Sequence, residues 1–275
     1  MSVLDVLLGK PLATSDERAE QIDVSAGIPI FGLDALSSAA YGPEAALTLL
    51  IPLGAAGVAY IVPVSVSIIV LLTIVYFSYR QTIAAYPGGG GSYTVASENL
   101  GPRVGLLAAA ALMLDYVLVV AVGIAAGVGA LVSAVPELQP HTLALCLGIL
   151  VILTIVNLRG LKEAGIFFML PTHLFLGTLL ITVLIGVVRT VSAGGHPAAV
   201  VAPPSAPSPT VAAAGVWMML QVFSNGCTAM TGVEAVSNGV RAFREPTVRN
   251  AQRTLTVIIF FLIVLLAGIA YLVKA

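Results

Sequence analysis

Of 275 residues, 59% are hydrophobic and only 9% are charged, at a mean hydropathy of +1.05. That balance excludes an ordinary soluble domain, in which roughly a quarter of residues are charged. The formal net charge of -1 and the absence of any basic run exclude nucleic acid as a partner. The composition selects the lipid bilayer instead.

Residues 1–24 are polar and lack the apolar core of a cleavable signal peptide, so they read as a cytoplasmic N-terminal segment. A helix of about 20 apolar residues crosses a bilayer. Seven such spans are predicted, at 27–53, 59–82, 104–135, 142–158, 164–188, 211–240 and 255–273. The first should be interrupted at Tyr41-Gly42-Pro43 and the sixth between Gly226 and Gly232. The fold class is therefore an all-α polytopic membrane protein, because backbone groups in lipid must be satisfied internally.

Charge sets the orientation. Lys10 and Arg18, Arg80 and Arg103, Arg159 and Lys162, and then Arg241, Arg244, Arg249 and Arg253 fall in alternate connections, whereas the opposite side carries Arg189 and Lys274. The positive-inside rule puts the N-terminus in the cytoplasm. The segment 194–210 is rich in Pro, Ala and Ser and reads as an external linker. It divides residues 25–193, spans one to five, from 211–275, spans six and seven. Breaks at corresponding places in two halves point to a transporter built from repeats, with its binding site at the breaks.

Three acids lie at membrane depth: Asp34, Asp115 and Glu234. A bare charge there costs about 2.5–3.5 kcal/mol on insertion scales and marks function by default. Asp34, Ser37, Ser38 and Tyr41 share one helix face up to the Gly-Pro pair, and Glu44 suits the N-terminal end of a following half-helix. An ion pair is one account of Asp34, but no Lys or Arg lies in the core of any span. Asp115-Tyr116 is either a structural carboxylate or a proton or cation site. In the sixth span Thr228, Thr231 and Glu234 fall three apart around glycines. This is either a packing seam or an unwound stretch whose carbonyls and hydroxyls meet a cation.

Cys146 and Cys227 sit in apolar runs and read as reduced thiols. His173 is a satisfied polar group or a proton relay. The glycine run at 88–91 lacks the Lys-Ser/Thr of a phosphate loop and reads as a flexible cytoplasmic loop near an inner gate. Neither H-E-x-x-H nor G-x-S-x-G occurs, so no enzyme is indicated. No span-centred Lys in the last helix supports a retinal Schiff base.

Five motifs in order carry a resemblance: D-A-L-S-S-A-A-Y-G-P-E from Asp34, Y-P-G-G-G-G-S-Y-T-V-A-S-E-N-L-G from Tyr86, L-D-Y-V-L-V-V-A-V-G from Leu114, N-L-R-G-L-K-E-A-G from Asn157 and G-C-T-A-M-T-G-V-E-A-V-S-N-G-V from Gly226. Together they resemble the amino acid–polyamine–cation (APC) superfamily, nearest in look to its KimA-type potassium–proton symporters. The resemblance implies a five-plus-five inverted-repeat core with helices 1 and 6 discontinuous around the substrate. It implies a cation site at Asp34, Tyr41, Asp115, Tyr116, Thr231 and Glu234, with Asp34, Asp115 and Glu234 as candidate ligands for potassium; Ser37, Ser38 and Thr228, at helical spacing from these, are candidate additional ligands. The implied activity is secondary active transport of a cation, potassium among the candidate ions, coupled to protons by alternating access in the cell (inner) membrane. No cofactor is implied, and a homodimer is left open.

Two departures qualify this. The family places hydroxyls four and eight residues after the helix 3 acid, where this chain has Val119 and Gly123. Fewer oxygen ligands favour a proton, another cation or an amine over potassium, so an amino acid or amine permease is the alternative. Such a core also needs ten helices, so the chain is expected to be C-terminally incomplete after helix 7. An inactive fragment is the last reading.

Overall fold

The computed structural model describes residues 21–195, 197, 209 and 214–275, and for 161–163 the backbone alone. Nearly all of the expected N-terminal segment, most of the 194–210 linker and the start of the sixth span lie outside these residues. The helices are α1 Val24–Leu50, α2 Ile61–Ala85, α3 Gly91–Leu100, α4 Pro102–Ala134, α5 Thr142–Leu158, α6 Leu161–Ser192, α7 Val216–Gly226, α8 Ala235–Asn238 and α9 Thr247–Lys274. Among the described residues no strand forms; Ile22 and Phe243 make one isolated parallel bridge.

Among the described residues five stretches are long and apolar enough to cross a membrane: Val24–Ala85, Pro102–Ala134, Pro136–Leu158, Ala164–Ser192 and Thr247–Lys274. The first is 62 residues long and holds two expected spans, parted by a 3-10 turn over Ile51–Tyr60 in which Gly54 leaves the helical region. The chain is thus a multi-pass, all-α membrane protein. At 1.5 Å per residue α4 is about 50 Å long, well beyond the ~30 Å hydrocarbon core, so it must tilt.

Two local expectations need correcting. The predicted interruption at Tyr41-Gly42-Pro43 is absent: α1 is a continuous helix through it. Proline removes one backbone donor, and apolar helices tolerate that loss where neighbours pack closely. Second, the flexible loop expected at the glycine run gives way at Gly91 to helix α3, and the loop itself is tied down by Gly90 donating to the Asn238 carbonyl at 3.0 Å. The fifth predicted span is matched by α6, which starts three residues earlier and ends four later, with Pro171 inside it. The sixth span is broken as expected. After α7 come a 3-10 turn over Cys227–Met230, an extended Thr231 and Gly232 at φ +78°. That left-handed conformation is open to glycine at little cost.

The chain forms two compact units. One comprises residues 1–34, 79–172 and 234–255, the other 35–78, 173–233 and 256–275. Each draws on both of the expected repeats. In the first, fully buried Phe243 stacks on Phe31 with ring centroids 5.3 Å apart. The bridge beside it is closed by Ile22 N–H to Ala242 O at 2.8 Å and Arg244 N–H to Ile22 O at 2.9 Å. The second is a leucine and isoleucine core in which Leu36, Ile61, Leu72, Ile258, Leu262 and Leu265 are all buried.

Candidate cation site

The residues that the sequence nominates divide between the two units. Asp34, Asp115, Tyr116 and Glu234 belong to the first; Ser37, Ser38, Tyr41, Thr228 and Thr231 belong to the second. Each group has its own geometry.

In the first unit Glu234 follows the break in the sixth span and begins α8. Its side chain is only 9% exposed, and Oε1 has no hydrogen-bond partner among the described residues. Asp115 and Asp34 both lie near enough to act on it electrostatically. Two tyrosines join the cluster. Tyr116, from α4, accepts a short hydrogen bond from Asn238 Nδ2. Tyr79, from α2, is hydrogen-bonded to Ser92. Both phenols feel Glu234 and Asp115. Asp34, Asp115, Tyr79 and Tyr116, from α1, α2 and α4, thus lie within electrostatic range of Glu234. Among the described residues no three His, Cys, Asp or Glu side chains gather tightly enough to hold a metal ion. Tyr116 also borders an apolar cavity of about 540 Å³ between α4 and α5, with Val120, Ile124, Cys146 and Leu150 on its walls. Val119 is half-buried and Gly123 faces open space.

In the second unit the break accounts for its own freed backbone groups. Ser38, fully buried, donates to the carbonyls of Ala35 at 2.8 Å and Ala229 at 3.0 Å. Gly42 lies against the same residue, so close that a Cβ there would come within 2.5 Å of Ala229 Cβ. Thr231 donates its hydroxyl to Thr228 O at 3.0 Å, and Thr228 donates to Asn225 O at 2.6 Å. Tyr41 and Thr231 oxygens pair at 3.5 Å. Buried carbonyls left unpaired cost about 1–3 kcal/mol each, so these hydroxyls make an unwound helix tolerable at membrane depth. Ser38, Thr228 and Thr231 thus direct their protons at backbone carbonyls, and the Thr231 oxygen also meets the Tyr41 hydroxyl.

Glu44 is exposed, as suits a helix-surface charge, and His173 is exposed on α6. Both cysteines are free thiols. Sequence reasoning missed Asn238 and Tyr79. An Asn one turn after Glu234, in an otherwise apolar, glycine-rich stretch, was the available signal.

Residues 31–274 match the family described as amino acid permease. The chain belongs to that family, and with it to the APC superfamily to which its motifs point. A curated relative, the potassium transporter KimA of Bacillus subtilis (strain 168), is 38% identical over 275 residues, covering 98% of this chain. The chain spans 44% of that relative's length.

Proposed function

We propose that this permease-family chain carries the cation-selecting part of a secondary active transporter, with potassium as the leading substrate and protons as the coupling ion. The observation that carries the reading is Glu234: a buried carboxylate with an unsatisfied oxygen, acted on by Asp34 and Asp115. Three acids held together in low dielectric repel one another, and an entering cation relieves that repulsion. An anion or the carboxylate of a zwitterion would aggravate it. The name of the Bacillus relative supports potassium. Asp115, with Tyr116 beside it in sequence, is the proposed carrier of the coupling proton. The reading places the protein in the cell membrane with its N-terminus in the cytoplasm, as the charge map predicts.

The test is potassium uptake by the complete gene product in cells lacking their own high-affinity uptake. Uptake should appear with the wild type and vanish with Asp34→Asn and with Glu234→Gln. Undiminished uptake in both variants would remove the acid cluster from the pathway. A second reading, an amine or cationic amino acid permease, draws on Val119 and Gly123, which leave that face of α4 without hydroxyls. It predicts that primary amines compete with potassium at lower concentration than potassium itself.

A further inference from the structure

The glycine run 88–91 has no part in the site described above, yet it is closely fitted to it. Gly90 N–H donates to the Asn238 carbonyl at 3.0 Å. A Cβ on Gly89 would lie 2.7 Å from that oxygen, and at Gly91, with φ +45°, Asn238 Oδ1 and Ser237 Oγ occupy the place of a methyl group. The other end of the same amide donates to the Tyr116 hydroxyl, while Oδ1 is buried without a partner. The Asn238 N–H bonds the Glu234 carbonyl at 3.1 Å. One residue thus holds the loop by its carbonyl and the face of its amide, and the acid cluster by its amide nitrogen.

We propose that Asn238 is a positioning residue that couples the glycine loop to Tyr116, so that loop release and reorientation of the phenol occur together. With the loop seated, Asn238 Oδ1 lies where a Gly91 side chain would begin and Nδ2 donates to Tyr116. Once the loop lifts, space opens beside the unpartnered Oδ1. The amide turns toward the loop's freed N–H groups, and Tyr116 loses its donor. The reverse holds as well, because coupling between two sites is reciprocal. Drawing the phenol toward a bound cation loosens the amide and weakens the seat of the loop. Glycine at 91 is then a requirement of the coupling as well as of the turn, since any side chain would push the amide off Tyr116.

The coupling is measured by hydrogen exchange in peptides covering residues 86–92 of the purified full chain, a readout that needs no transport. Tyr116→Phe, which removes the acceptor, and Asn238→Ala should each speed exchange in that loop about fivefold, the worth of one ordinary hydrogen bond. Gly101→Ala is the control: φ is +94° there too, but nothing lies within 4 Å of a new Cβ, so it strains a turn without touching the amide. Loop exchange unchanged by Tyr116→Phe would overturn the coupling, as would an equal effect of Gly101→Ala. In uptake assays, where the inference rests on the proposed function, Gly91→Ala and Asn238→Ala should raise the half-saturating potassium concentration together, and Gly101→Ala should leave it alone. A wild type that takes up no cation defeats the proposed function, and the exchange experiment still decides the coupling.

Discussion

Gly42→Ala gives the sharpest test of how the first and sixth spans are fastened. The added methyl would meet Ala229 Cβ at 2.5 Å, its backbone nitrogen at 2.7 Å and its Cα at 2.8 Å. Two of these are main-chain atoms that no rotamer change can move. Restoring ordinary contact requires about 1 Å of separation, an overpacking penalty of about 1–3 kcal/mol. The same displacement stretches the Ser38 hydrogen bond to Ala229 O, now 3.0 Å, and forfeits about 0.5–1.5 kcal/mol more. Replacing glycine within a helix returns up to about 1 kcal/mol. Central values leave a net loss of about 2 kcal/mol. A chain of this size should then melt about 4–8 °C lower, as read by temperature-dependent size-exclusion in detergent. Gly123→Ala shares the helix gain but meets nothing within 4 Å, so it should melt no lower than the wild type, and comparing the pair cancels the micelle. If Gly42→Ala melted as high as Gly123→Ala, the close fit between Gly42 and Ala229 would be wrong.

Three other outcomes are expected. Asp23 accepts from the Ala26 N–H at 2.9 Å and the Ser25 hydroxyl at 2.8 Å. With the Arg244 charge nearby, these hold its carboxyl below the ordinary value of 3.8. A depressed folded-state pKa means that the stabilisation is complete above about pH 4 and fades as pH falls through the folded value. Asp23→Ala should therefore cost about 1 kcal/mol at neutral pH, with wild-type and variant melting curves converging below pH 3.8; a gap independent of pH would count against the cap. Glu234→Gln removes a buried charge without changing shape, so it should abolish cation-dependent thermal stabilisation while leaving the melting temperature without added cation equal or higher. A fall in that temperature would make Glu234 a structural partner instead. Val119→Thr puts a hydroxyl back on the Asp115 face of α4 and should lower the half-saturating potassium concentration relative to rubidium and amines; uptake assays with competing ions would show no change if that face does not meet the substrate.

Apolar runs made most of the architecture legible in the sequence, because twenty residues without charge have few uses other than crossing a bilayer. The fourth span is the plainest case: its limits at Thr142–Leu158 are those predicted. The break in the sixth span was legible from Gly232, whose positive φ suits glycine and strains other residues. The break expected in the first span was not there, because Gly-Pro signals a lost hydrogen bond but not whether packing makes up for it; Ala229, seated on Gly42, settles that from 187 positions away. Helix α3 escaped notice because its sequence, GSYTVASENL, has no apolar stripe. The candidate acids were readable from their cost in lipid. The roles of Ser38 and Asn238 were not, since each depends on a partner far along the chain: Ala229 for Ser38, Tyr116 and Gly90 for Asn238.

The bridge at Ile22 and Phe243 bears on how the protein is made. Arg244 Nε also donates to Gln21 O at 3.0 Å, a pairing across 223 residues. Ribosomes add about 5–20 residues per second, so the strand-like entry to the first helix waits roughly 10–45 s for its partner to be synthesised. Through that interval the first helix crosses the membrane with its N-terminal end untethered, and residues 242–244 close it only after the sixth span has been threaded. Translation pauses or insertion faults near residue 244 should therefore appear as protease sensitivity at the opposite end of the chain, around residue 22.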